Sequence, residues 1–536
     1  MCGEGLCSDD TAIVYGDLFI TYGQLSDKIA ERIEVLNKRQ IQHGVIGVML
    51  SRTPEYIYWI LAILASGCAF VPVNQFDSEE KKEYIFQNSN MDFCLTDEDI
   101  LTTETPKEYG KFYDPSKILD DEDKLAYIMY TSGTTGLPKG VMISRKALRN
   151  FTGCFLPNEI KHGDLVFANT TFTFDISLLE IVLSLTRGAT VFLSSDLEQK
   201  NPRAVVNILK KNEFDWVQFT PSYLSMLIEY SQDMSIFKNV KNMIIGGERI
   251  TKSLARVLCD HTKCNLYNAY GPTEATIWTH VGNLRDPFVN VGTPISCAEE
   301  YIFDPNGNIT DEGVLWLGGQ TVALGYINNK ELTEMKFRLY NSGIIYETGD
   351  LCRKKDGKLE ILGRIDNQVK ICGRRIELEE IENTIVDKVG IMQCVVLLVE
   401  GDLVLCTDND ELTIADVRKK LINKLDTVFI PKRIFALKEF PLMTNGKINR
   451  RKVEEMYMEQ SSVEEKVLGV MREFVVGDFS KESVFGDLGI SSIEYIAMVV
   501  KLEKAFNIEF DEGALTLNRF STVTDMIDYV QSRLAV

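Results

Sequence analysis

The stretch that decides the fold is Tyr130–Gly140, with the sequence YTSGTTGLPKG. It follows Leu125–Met129, an apolar-leaning run that predicts a β-strand. Glycines let the backbone turn tightly and expose its N–H groups, the hydroxyls add donors, and Lys139 adds positive charge. Such a loop suits polyphosphate, although glycines and hydroxyls alone fit a surface turn equally well. It is not a Walker A loop, because Gly140 follows Lys139 where that motif needs Ser or Thr.

The size and charge of the chain limit its class. At 536 residues it is too long for one hydrophobic core, so about two to four domains are expected. Its net charge of −20 makes it a poor general binder of nucleic acid or anionic membrane, since phosphate contacts need clustered Lys and Arg. We therefore predict no nucleic-acid partner and no membrane partner.

The N-terminus and the cysteines predict a cytoplasmic protein. The start MCGEGLCSDD has no basic region and no apolar core, so no signal peptide is expected. The twelve cysteines are scattered without a C-x-x-C pair and are expected to be reduced thiols. Cys259, His261 and Cys264 lie close in sequence, but a metal site would need a fourth ligand at suitable spacing.

One segment, Tyr56–Val73, is apolar enough to suggest a membrane span. Ser66, Gly67 and Pro72 interrupt it. The pattern favours a buried helix that ends near Gly67, followed by a buried strand.

Changes of pattern divide the chain into predicted domains. Up to about Leu362, apolar β-rich runs alternate with helical patterns, which predicts an α/β domain over residues 1–365. A small α+β domain is predicted over residues 366–456, where strand alternation passes into a helical pattern. Glu454–Glu464 is expected to be a polar linker, and residues 463–536 a separate helical domain. The first pattern rests on predicted strands at Leu165–Ala168, Thr190–Leu193, Trp216–Phe219 and Met243–Ile245, and on predicted helices at Pro202–Lys211 and Ser222–Tyr230.

Several motifs, in order, resemble those of nonribosomal peptide synthetase adenylation domains, members of the adenylate-forming superfamily. The resemblance covers nearly the whole chain. It implies a large α/β adenylation core with β-sheets and helices, a small α+β C-terminal subdomain, and a C-terminal four-helix-bundle carrier domain. Besides the loop at 130–140, the motifs are NAYGPTEATIW at 268–278, YETGDLCR at 346–353, GRIDNQVKICGRRIELEEIE at 363–382 and PLMTNGKINR at 441–450, with weaker matches in ITYGQL at 20–25 and GCAFVPVN at 67–74.

In that family ATP and an amino acid form an aminoacyl-adenylate and pyrophosphate, and the acyl group then passes to a thiol. The resemblance implies that Glu274 coordinates Mg²⁺, with Thr131 beside it, because magnesium needs hard oxygen ligands. It also implies that Tyr270 packs on adenine and that Asp350 accepts the ribose hydroxyls. Ile361 departs from the family, which often has a Tyr there. The residues expected to bind ATP are Thr131, Ser132, Gly133, Thr134, Thr135, Lys139, Gly247, Asn268, Ala269, Tyr270, Thr273, Asp350, Arg364 and Lys447.

Two residues of the smaller domain carry implied roles in catalysis. Lys447 would bridge the substrate carboxylate and the phosphate, which stabilises charge in the transition state. Asp366 matches the family's hinge, about which the small domain swings between adenylation and thioester-forming poses. The implied catalytic residues are thus Lys447, Glu274 and Thr131.

The resemblance also implies an amino-acid pocket. Asp175 would pair with the substrate's α-ammonium group, since a buried carboxylate needs such a partner. The other implied lining residues are uncharged, and the large ones leave little room, so glycine is expected first and alanine next. Ile244 and Ala269 depart from the family's glycine-type pocket. The lining consists of Phe174, Asp175, Ile176, Leu179, Gln218, Ile244, Gly246, Ala269, Ile277 and Trp278.

The segment DLGISSIEYIAMVV at 487–500 resembles the attachment site of a peptidyl carrier protein. The pattern implies 4′-phosphopantetheine on Ser492 at the start of a helix, where free N–H groups favour a phosphate. Taken alone, Ser491 or Ser492 would favour a helix cap, and it is the position after an adenylation domain that favours the carrier site. A phosphopantetheinyl transferase is therefore an expected partner.

Alternatives from other classes are an acyl- or aryl-CoA ligase and a non-catalytic carrier scaffold. Asp175 and the carrier segment favour the synthetase over the ligase, and Glu274, Asp350 and Lys447 favour an enzyme over a scaffold. No condensation domain precedes Met1 and no thioesterase follows Val536, so a free-standing loading protein is expected. It would pass its acyl group in trans to a downstream condensation or other acyl-accepting enzyme, and an MbtH-like protein is a further candidate partner.

Overall fold

The computed structural model describes residues 7–41, 44–100, 113–119, 124–131, 137–156, 159–365, 368–371, 374–391, 393–399, 401–409, 412–422, 424–437, 439–441, 448–472, 474–475, 479–490, 492–506, 508–511, 514 and 519–534. Residues within 1–384 and 420–430 form one compact unit, and residues within 385–419 and 431–536 form a second. Each unit is described by itself. The domain boundaries drawn from sequence stay predictions.

The largest sheet of the first unit has six neighbouring parallel strands at its centre and antiparallel strands at both edges. All four strands predicted in this region are confirmed. Leu165–Ala168 and Thr190–Leu193 have the predicted bounds, and the other two predicted strands are parts of longer ones. In spatial order the nine described strands are Thr293–Pro294, His280–Asn283, Asn265–Tyr270, Val240–Gly246, Phe214–Phe219, Leu165–Ala168, Thr190–Leu193, Thr11–Tyr15 and Leu18–Thr21.

A second sheet carries the strand that leads into the predicted phosphate loop. Its central strands are parallel, and an antiparallel hairpin closes one side. In spatial order its six described strands are Gly325–Tyr326, Lys139–Ser144, Leu125–Thr131, Ala69–Pro72, Val45–Met49 and Phe93–Thr96.

Two smaller antiparallel sheets complete the described strands of the first unit. One pairs Ala298–Phe303, Glu312–Gly319, Gly343–Lys355 and Phe337–Tyr340 in that order, with Lys358–Arg364 also on Gly343–Lys355. The other is the hairpin of Gln368–Ile371 and Arg374–Glu377.

Helices cover the sheets because their apolar residues recur at helical spacing. Helix Pro202–Lys211 is typical: Asn201 caps its first turn, Pro202 fits its first position, and Lys210 and Lys211 lie in its last turn. The α-helices of the described chain are Tyr22–Lys38, Pro54–Ala65, Glu79–Asn88, Asp97–Ile100, Arg145–Cys154, Ser184–Thr186, Asp196–Gln199, Pro202–Lys211, Pro221–Ser231, Lys252–His261, Lys330–Lys336, Leu378–Val389, Ile414–Leu421, Arg450–Met471, Ser492–Phe506 and Val523–Leu534.

The main core of the first unit joins both large sheets. It includes Trp59 of helix Pro54–Ala65, Tyr127 of the second sheet and Trp216 of the largest sheet. The apolar segment at 56–73 is therefore a core helix followed by the buried strand Ala69–Pro72, as predicted. Among the described residues, no helix is long and apolar enough to cross a membrane.

The second unit contains a three-stranded sheet of Val395–Val399, Asp402–Thr407 and Arg433–Ala436. Its described C-terminal part is helical, and one hydrophobic cluster joins Met471, Tyr495 and Met526 from three different helices. This agrees with a helix bundle. The helices described in this part are Arg450–Met471, Ser492–Phe506 and Val523–Leu534, and the fourth helix of the predicted bundle stays a prediction.

The expected linker at 454–464 is helical instead. It lies inside helix Arg450–Met471. Val453, Tyr457, Val467 and Met471 are all buried. Their spacing places them along one helical stripe, so the polar residues that suggested a linker form the exposed side of a helix.

One close approach in the largest sheet gives a stability prediction. Gly292 has φ +76°, and a Cβ atom there would lie 2.1 Å from the carbonyl oxygen of Val281. Gly307 has φ +82° with nothing within 4 Å. We expect Gly307→Ala to cost about 1–2 kcal/mol for its left-handed backbone alone, and Gly292→Ala roughly 3 kcal/mol or more, because backbone must also shift. Thermal unfolding measures both. Equal decreases in the thermal unfolding midpoint for Gly292→Ala and Gly307→Ala would contradict the close approach at Gly292.

Candidate active site

The predicted phosphate loop closes a β-hairpin. Leu125–Thr131 and Lys139–Ser144 pair antiparallel, with Thr131 opposite Lys139 at the end next to the loop. The expected ligands Ser132, Gly133, Thr134 and Thr135 lie outside the described residues. The buried hydroxyl of Thr131 has no hydrogen-bond partner among the residues that the structure describes. A buried hydroxyl costs free energy when left unpaired, so a ligand oxygen or a cation beside Thr131 suits this position.

Lys139 has an acidic neighbour that the sequence did not suggest. Its Nζ lies 4.0 Å from Oε1 of Glu377, in the strand Arg374–Glu377. Glu377 is itself buried. Nearby, burial raises the pKa of Glu380 to about 7, while Lys81 and Lys139 act to lower it. Any phosphate bound by Lys139 therefore meets a cation that already carries a carboxylate partner.

Glu274 is tied to the same hairpin through Tyr326. It lies in the short 3₁₀ turn Thr273–Ala275, which follows strand Asn265–Tyr270, and it is almost fully buried. Its Oε1 accepts a hydrogen bond of 2.7 Å from the Tyr326 hydroxyl. Tyr326 stands opposite Val141 in the hairpin. The sheet thus holds the predicted magnesium ligand next to the strand that carries Lys139.

The two residues predicted to hold a metal ion fit Mg²⁺ rather than a softer metal. Glu274 and Thr131 offer hard oxygen atoms, which magnesium prefers. Among the described residues, no three His, Cys, Asp or Glu side chains converge as a metal cage. Magnesium is usually held by one or two carboxylates together with water and substrate phosphates. Glu274 would hold the ion, and the ion would neutralise charge on a bound polyphosphate.

Asp350 forms the centre of a polar cluster. Tyr270 donates its hydroxyl to Oδ2 of Asp350, and Arg364 donates Nη1–H to Oδ1 over 2.7 Å. The backbone N–H of Asp350 donates to the Thr348 hydroxyl. Burial and the adjacent Asp350 carboxylate raise the pKa of Tyr270 well above its usual value. The structure therefore brings together three of the residues predicted for the nucleotide, at one edge of the site.

The geometry at Asp350 differs in detail from the sequence expectation. Both carboxylate oxygens already accept a protein hydrogen bond. Each carboxylate oxygen has two lone pairs, so ribose hydroxyls can still be accepted beside these partners. Tyr270 contributes a hydrogen bond as well as a ring, and Tyr270 and Ile361 pack against the same small hydrophobic cluster. Asn268, also predicted for the nucleotide, donates to the carbonyl of Asn290, and its role toward the nucleotide stays a prediction.

The predicted amino-acid pocket lies at the carboxyl ends of three parallel strands. Gln218, Ile244 and Ala269 come from strands Phe214–Phe219, Val240–Gly246 and Asn265–Tyr270. Register places Ile244 opposite Gln218, and Gly246 opposite Ala269. Ligands of open α/β sheets bind at such strand ends. All three side chains are buried.

Close packing closes this pocket. A Cβ atom on Gly246 would lie 2.7 Å from Cη2 of Trp278 and 2.7 Å from the carbonyl oxygen of Ala269. A Cβ atom on Gly247 would lie 3.3 Å from Ile176 and 3.5 Å from Phe174. The two adjacent glycines thus let elements distant in sequence meet at one place. Leu179, at the start of the turn Leu179–Leu183, is buried as well.

The backbone that delivers Trp278 is strained. Thr276 and Ile277 have φ values of 60° and 67°, in the left-handed region that β-branched residues rarely adopt. The Thr276 hydroxyl donates to the carbonyl of Thr321, which helps to hold this turn. Such strain is commonly stored at functional sites. Here it turns Ile277 and Trp278 inward, where both are buried.

Asp175 is only 2% exposed and lies in the loop before Leu179. Burial and the charge of Asp175 raise the pKa of the Tyr127 hydroxyl well above its usual value. A buried carboxylate beside an apolar lining is suited to a cationic group of a ligand. Among the predicted pocket residues it is the only one that bears a charge.

Glu180 is a residue that sequence reasoning missed. It follows Leu179 and is fully buried. Oε1 accepts hydrogen bonds from the Thr170 hydroxyl and, at 3.4 Å, from Nε2 of Gln218, while Oε2 accepts from the Thr170 N–H at 2.9 Å. Gln218 Oε1 in turn accepts from Nε1 of Trp278 at 3.3 Å. A charged residue inside an otherwise apolar run, SLLEIVL, was the available signal.

Three predicted functional positions are not tested by this geometry. Asp366 and Lys447 lie outside the described residues. Ser492 is the first residue of helix Ser492–Phe506, as predicted, although nothing is described of its side chain. Cys259, His261 and Cys264 form no metal site among the described residues, and the described cysteines are free thiols.

Comparison with known proteins assigns two regions of the chain to families. Residues 4–327 match the model of the AMP-binding enzymes, and residues 465–530 match a phosphopantetheine attachment site. One of the proteins that make up mycosubtilin synthase of Bacillus subtilis is 30% identical over 98% of this chain, and the chain spans 22% of that protein. Gramicidin S synthase 2 of Brevibacillus brevis is 29% identical over 97% of this chain, which spans 12% of that synthase.

Solved structures show the same fold. Holo-PA1221, a nonribosomal peptide synthetase protein with adenylation and carrier domains, has a TM-score of 0.71 at 21% identity, over 98% of this chain and 94% of its own. Holo-AB3403, a four-domain nonribosomal peptide synthetase bound to AMP and glycine, has a TM-score of 0.60 at 28% identity. That alignment covers 98% of this chain and 42% of holo-AB3403.

The buried carboxylate of Glu180 gives a prediction about pH and stability. Burial raises its pKa from 4.5 to about 7, against the opposing effects of Thr170 and Arg52. Between those values the folded protein holds a proton that the unfolded chain has lost, so this group's contribution to stability falls as pH rises through the window. Glu180→Gln removes the titration. We expect the stability of Glu180→Gln relative to wild type to rise between about pH 5 and pH 8, by about 3 kcal/mol at most.

Thermal unfolding across this pH range measures the effect. Glu312→Gln, at an exposed carboxylate, serves as the control and should track wild type. Parallel pH profiles for Glu180→Gln and wild type would contradict a raised pKa at Glu180.

Proposed function

Because this chain belongs to the AMP-binding enzymes and carries a phosphopantetheine attachment site, we propose that it activates a small neutral amino acid with ATP. The activated acyl group then passes to the phosphopantetheine thiol of its own carrier region. ATP, Mg²⁺ and covalent 4′-phosphopantetheine are the cofactors of this family. On this proposal the chain is an adenylation and carrier protein of nonribosomal peptide biosynthesis.

The observation that carries the proposal is the single buried carboxylate in an otherwise uncharged pocket. Asp175 supplies a negative charge where an α-ammonium group would bind, and the other predicted lining residues offer no charge to a substrate side chain. A charged substrate side chain would be buried there without a partner, which is costly. A plain acyl or aryl acid has no ammonium group to pair with Asp175.

The proposed reaction has two balanced steps. A carboxylate oxygen of the amino acid attacks the α-phosphorus of ATP, and the bond to pyrophosphate breaks. The thiol sulfur then attacks the acyl carbon, AMP leaves, and the thiol proton goes to solvent. Thr131, Lys139 and Glu274 with Mg²⁺ are suited to the charge that develops on pyrophosphate, because preorganised cations and donors stabilise such charge.

Glycine is the proposed first substrate and alanine the second. Leu179, Gln218 and Trp278 are all buried around the predicted pocket and leave little volume. Holo-AB3403, which is 28% identical to this chain, is bound to glycine, and this supports the choice. Ala269 is small enough to leave room for a methyl group. One methylene is worth only about 1–3 kcal/mol, so pocket size alone separates these two substrates weakly.

The proposed partners follow from the carrier region. A phosphopantetheinyl transferase would modify Ser492, and an acyl-accepting enzyme such as a condensation domain would take the product. The synthetase relatives are several times longer than this chain. We therefore propose that further synthetase domains act together with it.

A panel of amino acids in ATP–pyrophosphate exchange tests the proposed activity. We expect the highest kcat/KM with glycine, a lower value with alanine, and little exchange with charged or large residues, because the pocket offers them neither room nor a counter-charge. Clear preference for a large or charged amino acid would refute the substrate proposal. Exchange with aryl or fatty acids would favour a CoA-type ligase, and no exchange with any acid would favour a scaffold.

Lys447→Ala is the loss-of-function variant for the same assay. We expect adenylation to fall about 10²–10³-fold, the usual effect of removing one transition-state charge partner. The neighbouring surface-type variant Lys452→Ala, on helix Arg450–Met471 with a half-exposed side chain, is the matched control. Wild-type exchange in Lys447→Ala would show that this lysine has no catalytic role.

Intact-mass measurement tests the carrier assignment. After incubation with a phosphopantetheinyl transferase and coenzyme A, the chain is expected to gain the mass of one phosphopantetheine group, and Ser492→Ala is expected to gain none. Ser480→Ala, at an exposed hydroxyl of the same unit, should gain mass like wild type. A gain that survives Ser492→Ala would place the arm elsewhere.

A further inference from the structure

Trp278, Gln218 and Glu180 form a hydrogen-bonded row behind the predicted pocket, which we call the polar chain. The indole N–H can only donate, so the atom of Gln218 that faces it at 3.3 Å must be the carbonyl oxygen. The amide nitrogen of Gln218 therefore faces Glu180, whose carboxylate accepts it at 3.4 Å. The chemistry of the three groups allows one direction of donation from the indole to the carboxylate.

The far end of the polar chain is anchored in the fold. Thr170 donates both its N–H and its hydroxyl to the Glu180 carboxylate. The carbonyl of Thr170 accepts from the guanidinium of Arg52, which is buried and also donates to Ala168. Arg52 and Glu180 thus lie on opposite sides of one residue and are joined through its hydrogen bonds. The Glu180 end of the polar chain, opposite to Trp278, is held by this anchor.

The near end determines space in the pocket. The Trp278 ring packs so close to Gly246 that a Cβ atom there would lie 2.7 Å from its Cη2. Gln218, Glu180 and Trp278 are at most 4% exposed, so water offers them few substitute hydrogen bonds. A buried polar row with all partners in place favours one arrangement, because rotation of any member would leave an unpaired group.

We propose that Glu180 is a positioning residue for amino-acid selectivity. Through Gln218 it holds the indole of Trp278 across the pocket, and the fixed ring excludes side chains larger than a methyl group. Glu180 touches no substrate in this role, since it is fully buried and acts through its hydrogen bond from Gln218. The inference rests on the proposed function, because it names what limits the substrate at that same site.

Two variants outside the pocket lining test the inference. At about pH 9, above its raised pKa of about 7, Glu180 is ionised and accepts all three donors. Under this assay condition Glu180→Gln keeps the shape but replaces one acceptor oxygen by a donor, so the three donors can no longer all be accepted. Thr170→Val removes only the hydroxyl donor and keeps the shape. Thr186→Val is the matched control, because the Thr186 hydroxyl donates to the Leu183 carbonyl of its own helix and lies outside the polar chain.

The measurement is kcat and KM in pyrophosphate exchange for glycine, alanine, serine and valine, together with KM for ATP. We expect Glu180→Gln to lower the preference for glycine over the larger amino acids about tenfold, the scale of one methylene's discrimination. Thr170→Val is expected to move it the same way by less, and Thr186→Val not at all. KM for ATP should stay constant in all three, which a general distortion of the adenylation site would not allow, and the ratio of kcat/KM values between amino acids does not depend on the fraction of enzyme that is folded.

Failure of the positioning role of Glu180 can be told apart from failure of the proposed function. Unchanged selectivity in both Glu180→Gln and Thr170→Val, with an active wild type, overturns the positioning role and leaves the proposed function standing. If Glu180→Gln does not fold, unchanged selectivity in Thr170→Val overturns it alone. A wild type that exchanges pyrophosphate with no amino acid overturns the proposed function, and this inference with it.

Discussion

The register of three parallel strands, Phe214–Phe219, Val240–Gly246 and Asn265–Tyr270, is the constraint on which the site depends. Parallel strands end at the same edge of a sheet, so side chains far apart in sequence arrive together without any loop having to be ordered for the purpose. Gln218, Ile244 and Ala269 take their places in this way. A slip of one residue in any strand would turn its pocket side chain to the other face.

The polar groups of the site are held by the same sheets. Three buried carboxylates accept hydrogen bonds from other parts of the fold. Asp350 accepts from Arg364 and Tyr270, and Glu274 accepts from Tyr326. Glu180 accepts from Thr170 and Gln218. Burying a carboxylate is costly unless such partners are present. Each of these contacts therefore fixes the distance between two elements as well as satisfying a charge. The nucleotide-side and amino-acid-side residues become parts of one rigid arrangement within the first unit.

Much of this could be predicted from the sequence, and the residues show why the rest could not. Strands such as Leu165–Ala168 and helices such as Pro202–Lys211 are local patterns of apolar spacing, and they appear where expected. The polar chain joins residues 38 and 60 positions apart, and no local pattern encodes which donor meets which acceptor. The segment at 454–464 misled for a related reason: its polar surface was visible, but its buried stripe begins at Val453 and continues to Met471, beyond the segment.

A small pocket formed by large side chains has a physical consequence for selectivity. In a cavity lined by small residues, the largest substrate that fits depends on how far the neighbouring side chains can move aside. In a pocket filled by an indole, it depends on the orientation of one ring. Orientation is set by hydrogen bonds, and a buried hydrogen bond is lost at full desolvation cost when its partner is removed. The strained backbone at Thr276 and Ile277 brings Trp278 to the pocket, and Gln218 with Glu180 keeps its ring from turning. On the proposed function, the limit on the substrate is thus maintained by polar residues that the substrate does not touch, one layer behind the surface it meets.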